Sequence, residues 1–161
     1  MSYTIREKII RQIADRLAVI TLANGYATDI GANVKRARKH LDESELPACV
    51  IHPQPETPEL KYGQSYQTMP VRIEGIVEYG DADPSAVSEQ ILGDLIKAVT
   101  EQPGTETSPN TGWVRSPQYD ESIHYKGGGT DEYPDEERLT VGAAVQIEVV
   151  YATKIGDPYA Q

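Results

Sequence analysis

Leu139-Thr140-Val141-Gly142-Ala143-Ala144-Val145-Gln146-Ile147-Glu148-Val149-Val150-Tyr151-Ala152-Thr153 is the stretch from which the fold can be read. Leu139, Val141, Ala143, Val145, Ile147, Val149 and Tyr151 share one parity, while Thr140, Gln146 and Glu148 fall on the other. Side chains of an extended chain alternate between two faces, so this period of two predicts a strand with one buried side. At ~3.3 Å per residue such a strand exceeds 40 Å, which is long, and Gly142 is the natural place for it to bend.

A second stretch, Tyr66 through Tyr79, has the same period. Met69, Val71, Ile73, Gly75 and Val77 lie on one side, and Arg72, Glu74 and Glu78 on the other, with Ile76 interrupting the polar side. Gly75 within this pattern suggests a bulge. Ala48-Cys49-Val50-Ile51-His52 is a short apolar run between Pro47 and Pro53, which predicts a compact strand. Pro53-Gln54-Pro55-Glu56-Thr57-Pro58 is too rich in proline for a helix or a central strand and reads as a loop.

Two segments carry helical spacing instead. Ile5, Ile9, Ile13, Leu17 and Ile20 recur every three or four residues, with Ile10 beside them, which predicts an amphipathic helix over 4–23. Thr4 and Glu7 form a capping-box pattern, and Asn24-Gly25 is a stop. Asp83-Pro84 opens a second helix, running to about Gln102, with Val87, Ile91, Leu95 and Val99 every fourth residue. Gly93 inside that stripe suggests close packing against a neighbour.

The remaining segments are weaker. Residues 26–32 read as a loop or short edge strand, Asn33 to Arg38 as a strand, and Leu41 to Pro47 as a polar connection or a single helical turn, with Pro47 holding Leu46 extended. Residues 104–112 are loop-like. Trp113 to Tyr125, broken by Pro117, reads as a strand or a bent edge strand. Lys126-Gly127-Gly128-Gly129 and the acidic residues behind it, to Glu137, read as a flexible connection at the tip of a closing hairpin.

The order is α, β, β, β, α, β, β in one domain, 1–161. It predicts an α+β fold, a single mixed, mostly antiparallel sheet with two helices packed on one face and a long C-terminal β-hairpin. The other sheet face carries Arg72, Glu74, Gln146 and Glu148, and is either wet or used for assembly.

Composition narrows the function. Lys plus Arg number 15 and Asp plus Glu 25, a formal net charge of -10, so nucleic acid and anionic membrane are repelled over most of the surface. No apolar run approaches the ~20 residues needed to span a bilayer. The first residues, Met1-Ser2-Tyr3-Thr4-Ile5-Arg6, lack a signal-peptide core, which predicts a protein made in a cytoplasm and kept there, or assembled from there. Cys49, the single cysteine, cannot form an internal disulfide or a thiolate zinc site and reads as a small buried hydrophobe. Tyr occurs 10 times and Phe not at all, a bias toward half-buried and contact positions.

Catalytic patterns are not found. His40, His52 and His124 are scattered without paired metal spacing. Gly127-Gly128-Gly129 lacks the Lys-Ser/Thr and the following helix of a phosphate cradle. Asp120-Glu121, Asp131-Glu132 and Asp135-Glu136-Glu137 lack EF-hand spacing and read as solvated loop. The expectation is no catalytic, cofactor-binding or metal site. A small hydrolase would need a titratable pair in a cleft, and no such pair is recognisable.

Charge is unevenly spread. Residues 1–40 carry eight basic against three acidic side chains, a net of +5, and the other 121 carry seven against twenty-two, a net of -15. Such asymmetry suits one copy docking head-to-tail on the next, and equally suits two solvated faces.

Ala23-Asn24-Gly25-Tyr26-Ala27-Thr28-Asp29-Ile30-Gly31 follows the first helix, and Leu46-Pro47-Ala48-Cys49-Val50-Ile51 follows a loop. After the Asp83-Pro84 helix comes Val149-Val150-Tyr151-Ala152-Thr153 with Gly156-Asp157-Pro158-Tyr159 behind it. In this order and spacing, over nearly the whole chain, the sequence resembles the tail terminator proteins of long-tailed bacteriophages, departing from shorter members in its long 103–138 region. The resemblance implies a non-enzymatic virion protein without cofactor, assembled in the host cytoplasm and located in the tail at the head–tail interface. It implies a homo-oligomer, a hexameric ring, that caps the tail tube protein, stops tail polymerisation and offers a surface to the head-side connector or head-completion protein. DNA would pass through the lumen without specific binding, as acidity favours, and no membrane is involved. The alternative is a head-completion, connector or minor tail protein of related fold. Candidate interface residues are Arg36, Arg38 and Lys39 in the basic quarter. Tyr125, Lys126, Asp131, Glu132, Tyr133, Asp135, Glu136 and Glu137 are candidates in the hairpin region, as partner or lumen surface.

Overall fold

Two 15-residue strands, Gln64–Glu78 and Thr140–Lys154, pair antiparallel along their whole length, from Gln64 opposite Lys154 to Glu78 opposite Thr140. The computed structural model describes residues 2–100, 122–131 and 139–161. In chain order the elements are α1 (Ile5–Leu17), β1 (Val34–Arg36), β2 (Ala48–Pro53), β3 (Thr57–Lys61), β4 (Gln64–Glu78), α2 (Pro84–Thr100), β5 (Ser122–Thr130) and β6 (Thr140–Lys154). The sheet runs β1-β2-β4-β6-β5, with β3 paired to the first part of β4. It is mixed because β1 joins β2 in parallel while every other ladder is antiparallel.

The parity in the sequence becomes the core. Val71, Ile73 and Val77 of β4 face Ile147, Val145 and Val141 of β6 in register, and all are buried. Ile9, Ile13 and Leu17 of α1 and Ile91, Leu95 and Val99 of α2 belong to the same buried cluster, so both helices cover one sheet face. Each such fully buried aliphatic side chain contributes about 1.5–3 kcal/mol. The fold is α+β with a C-terminal β5–β6 hairpin.

Several local expectations are corrected. α1 ends at Leu17 rather than near 23, although Ile20 is buried. The backbone of Gly31 presses on that turn, its N–H donating to the Ile20 carbonyl at 2.9 Å, and a Cβ there would clash with the Leu17 oxygen. Only half of the Thr4 capping box forms. Glu7 N–H donates to Thr4 Oγ1 at 3.1 Å, but the Glu7 carboxylate is taken by Arg36 and Arg11.

The 53–58 stretch is not all loop. Pro53 closes β2, and Thr57 and Pro58 open β3, a strand missing from the predicted order. Pro58 is tolerated because, among the described residues, β3 pairs with β4 alone and is an outer strand. Tyr62 (φ 50°) and Gly63 (φ 74°) link β3 to β4 as a two-residue turn with both central residues left-handed.

The β4–β6 ladder shows no register shift at Gly75 or at Gly142. Gly75 is small because α2 rests on it, as a Cβ there would lie 2.6 Å from Ile91 Cγ2. Gly93 is exposed, with nothing within 4 Å of where its Cβ would be, so it packs against no neighbour. Lys126 to Thr130 are not a flexible tip. They continue β5, whose bulge falls between Tyr125 and Gly127. Gly128 lies under α2, where a Cβ would meet Leu92 Cδ1 at 3.0 Å. The expected loop 104–112, the segment Trp113 to Glu121 and residues 132–138 lie outside the described residues.

Candidate functional site

Among the described candidate interface residues, Arg36 lies on the β1 edge of the sheet and Tyr125 and Lys126 on the β5 edge. Arg36 ends β1, the outer strand on one side. Its register partner is Ile51, whose side chain points to the helices, so Arg36 reaches α1 and grips Glu7 with two bonds of 2.8 and 2.7 Å. Arg11 adds a third at 2.9 Å. The Arg36 bond is the largest cause holding the Glu7 carboxyl below the ordinary glutamate value, and Glu7 in turn pushes the Arg36 guanidinium up.

Arg38 donates to Glu45 at 3.0 Å, and Lys35 lies 3.4 Å from the same carboxylate. Glu45 is fixed by a reciprocal cap, its side chain accepting from Asp42 N–H. That backbone bond first, then Arg38 and Lys35, keeps the Glu45 carboxyl low. Lys39 is exposed and borders a groove of about 430 Å³ with His40, Glu43 and Leu139. Of the eight basic residues in 1–40, Arg6, Arg11, Lys35, Arg36 and Arg38 are thus ion-paired within the subunit, which answers much of the charge asymmetry internally.

The opposite edge is β5. Tyr125 is partly exposed on the helix side, opposite Ile147, and Lys126 stands 4.0 Å from Glu148 on the open face. Asp131 is tied into the fold. It accepts from Gly142 N–H at 2.8 Å, and its own N–H donates to Ser88 Oγ of α2 at 3.3 Å. Glu132, Tyr133, Asp135, Glu136 and Glu137 lie outside the described residues.

The face away from the helices carries a set of linked polar side chains. Arg72 donates to Glu74 at 3.0 Å, His52 Nε2 lies 3.6 Å from Glu74, and Gln146 donates to Gln54 at 2.9 Å. Gln54 also marks the corner where α1 is tied down: Arg6 bonds its carbonyl and the Glu56 carboxylate, and Tyr151 of β6 donates to that same Glu56 oxygen. Burial, and then Glu56, pushes the Tyr151 phenol up, so it stays protonated and donating.

Among the described residues no three His, Cys, Asp or Glu side chains are placed to hold a metal ion, and no helix is long and apolar enough to cross a membrane. Cys49 is fully buried and burial pushes its thiol up, as expected of a small core residue.

One feature escaped the sequence reading. Asp94 of α2 is 5% exposed and accepts from Ala27 N–H (3.0 Å), Thr28 N–H (2.8 Å) and Thr28 Oγ1 (2.6 Å). An acid adjoining Leu95 and three residues after Ile91 falls within the apolar stripe, and that position was the available signal. By anchoring the 26–29 loop, Asp94 shapes one wall of a groove of about 380 Å³, whose other walls are Leu46, Pro47, Val77 and Val87. Asp29, Glu78 and Gln90 also line it, and the Asp29 carboxylate accepts from Leu22 N–H at 2.8 Å.

No protein-family model and no curated protein matches this chain.

Proposed function

We propose that the protein is a structural subunit of a phage virion that closes into a hexameric ring on the end of the tail tube. The ring ends tube polymerisation and presents a surface to the head-side connector or head-completion protein. No bond-making is part of this role.

The observation that carries the reading is the openness of the sheet. Both helices lie on one face, the other face carries Arg72, Glu74, Gln146 and Glu148 among Pro70, Ile76, Ala144 and Val150, and the outer strands β1 and β5 are each paired on one side only among the described residues. An unpaired outer strand is a ready template for another chain. Two dissimilar edges on one subunit favour heterologous contacts, which generate rings when the rotation closes. The net charge of -10 supports passage of DNA, since carboxylates around a lumen repel phosphates where a basic lining would hold them.

Deleting the gene from the phage that carries it tests the role. Tails of uncontrolled length are expected. Tails of normal length that fail to join heads would replace this reading with that of a head-completion component.

A further inference from the structure

β6 outruns its neighbour β5. Among the described residues the β5 ladder stops at Ser122 opposite Val150, while β6 continues to Lys154. Alternate residues of a strand turn their backbone groups to the same side, and Gly142 turns its carbonyl to the β5 side, accepting from Asp131 N–H. Ala152 and Lys154 share that parity, so their backbone groups continue the same edge. Such an edge templates pairing with another chain unless something covers it.

The chain that follows covers it. Beyond Lys154 it turns back on itself. Asp157 N–H donates to the Lys154 carbonyl at 3.1 Å, and Gly156 takes the left-handed backbone of the turn, at φ 76°. Lys154 N–H donates to the Ala160 carbonyl at 2.9 Å, and Gln161 Nε2 to the Ala152 carbonyl at 3.1 Å. The same segment reaches α1, where the Pro158 carbonyl accepts from Ile5 N–H at 2.9 Å. That N–H heads the helix and has no acceptor within it. Residues 155–161 thus satisfy the end of β6 and the start of α1 together. Yet none of them is buried, and Ile155 and Tyr159 are 58% and 52% exposed. Backbone bonds and one amide side chain hold the segment without a buried apolar anchor, which sets it among the parts of a fold that open first.

We infer that residues 155–161 form a releasable strap, an autoinhibitory cover that keeps the end of β6 from pairing with another copy of the chain. Detachment uncovers the Lys154 N–H and the Ala152 carbonyl and leaves the Ile5 N–H to water in one step. The cover acts within a single subunit and does not depend on whether copies close into a ring.

Hydrogen exchange of the full-length chain reads the release. The Ile5 and Lys154 amides should share one protection, well below that of the amides in the β4–β6 ladder. Gly156→Ala meets no neighbour, since nothing lies within 4 Å of the added Cβ, but it strains the left-handed turn. Protection at both amides should therefore fall together by roughly five- to thirtyfold. Protection equal to that of the ladder, or a response at one amide without the other, would overturn the inference.

Sedimentation over a concentration series reads the cover. A chain ending at Lys154 should self-associate roughly tenfold more tightly than the full-length chain, the worth of one net hydrogen bond. Lys154→Pro in that shortened chain removes the edge N–H while sparing the β4 ladder, and should abolish the gain. Should the shortened chain fail to fold, Gly156→Ala, with every other residue in place, decides, and its self-association should rise in the same direction. No gain in either variant, or a gain that survives Lys154→Pro, would overturn the inference.

Discussion

Gly75 of β4 and Ile91 of α2 approach so closely that a Cβ on the glycine would lie 2.6 Å from Ile91 Cγ2, with Ile30 Cδ1 at 2.9 Å on its other side. Helix, loop and sheet therefore meet at a point where only a hydrogen fits. Gly93, on the same helix, faces open space.

The two glycines are expected to respond oppositely to alanine. Gly75→Ala overpacks a fully formed core and should cost about 1–3 kcal/mol. Gly93→Ala removes backbone freedom from an exposed helix interior and should stabilise by up to about 1 kcal/mol. Urea unfolding of both variants measures the difference. Equal effects would mean that α2 does not rest on Gly75.

Glu7 predicts an acid limb in the stability profile. Its folded-state carboxyl lies below the ordinary value of 4.5, chiefly through Arg36. A depressed folded value means that the stabilisation is fully present above about pH 4.5, the unfolded value, and is lost as pH falls through the folded value. The arginines are substantially exposed, so solvent screening limits the gain to about 1 kcal/mol or less. Thermal melts between pH 3 and pH 7 should show Glu7→Gln less stable than the parent at neutral pH and converging with it at the acid end. A constant gap across the range would contradict the assignment.

Asp94 predicts a larger loss. Its carboxylate accepts three bonds and offers no donor, so in Asp94→Asn the amide group turns an N–H toward a backbone N–H or loses one of those partners. The expected cost is about 1.5–3 kcal/mol. Hydrogen exchange should rise at Ala27 or Thr28, whichever N–H faces the new amide nitrogen and loses its acceptor. Unchanged exchange at both would show that the loop stands without Asp94.

The legible parts of the fold were those with their own periodicity. Val141 to Tyr151 and Met69 to Val77 announce a buried face because every second residue must be apolar there. β3 carries no such signal, since all five of its residues are exposed and it exists through pairing with β4. The Tyr62-Gly63 turn was its only local trace. Gly127-Gly128-Gly129 imitates a flexible loop, yet Gly128 is needed because a Cβ there would lie 2.7 Å from the Ala144 backbone oxygen of the neighbouring strand. The end of α1 is likewise decided from outside, by the Gly31 backbone. Among the candidate interface residues, the sequence located Arg36 and Arg38 as basic groups. It could not reveal that Glu7 and Glu45, brought in from α1 and the 43–45 turn, already engage them.

Assembly is the central claim, and direct weighing of the purified full-length chain tests it most plainly. Negative-stain imaging with mass determination, from nanomolar to high micromolar protein, should show annular particles of one diameter whose mass is that of six subunits. Subunits that remain solitary at every concentration, or that grow into fibres of unlimited length, would contradict it.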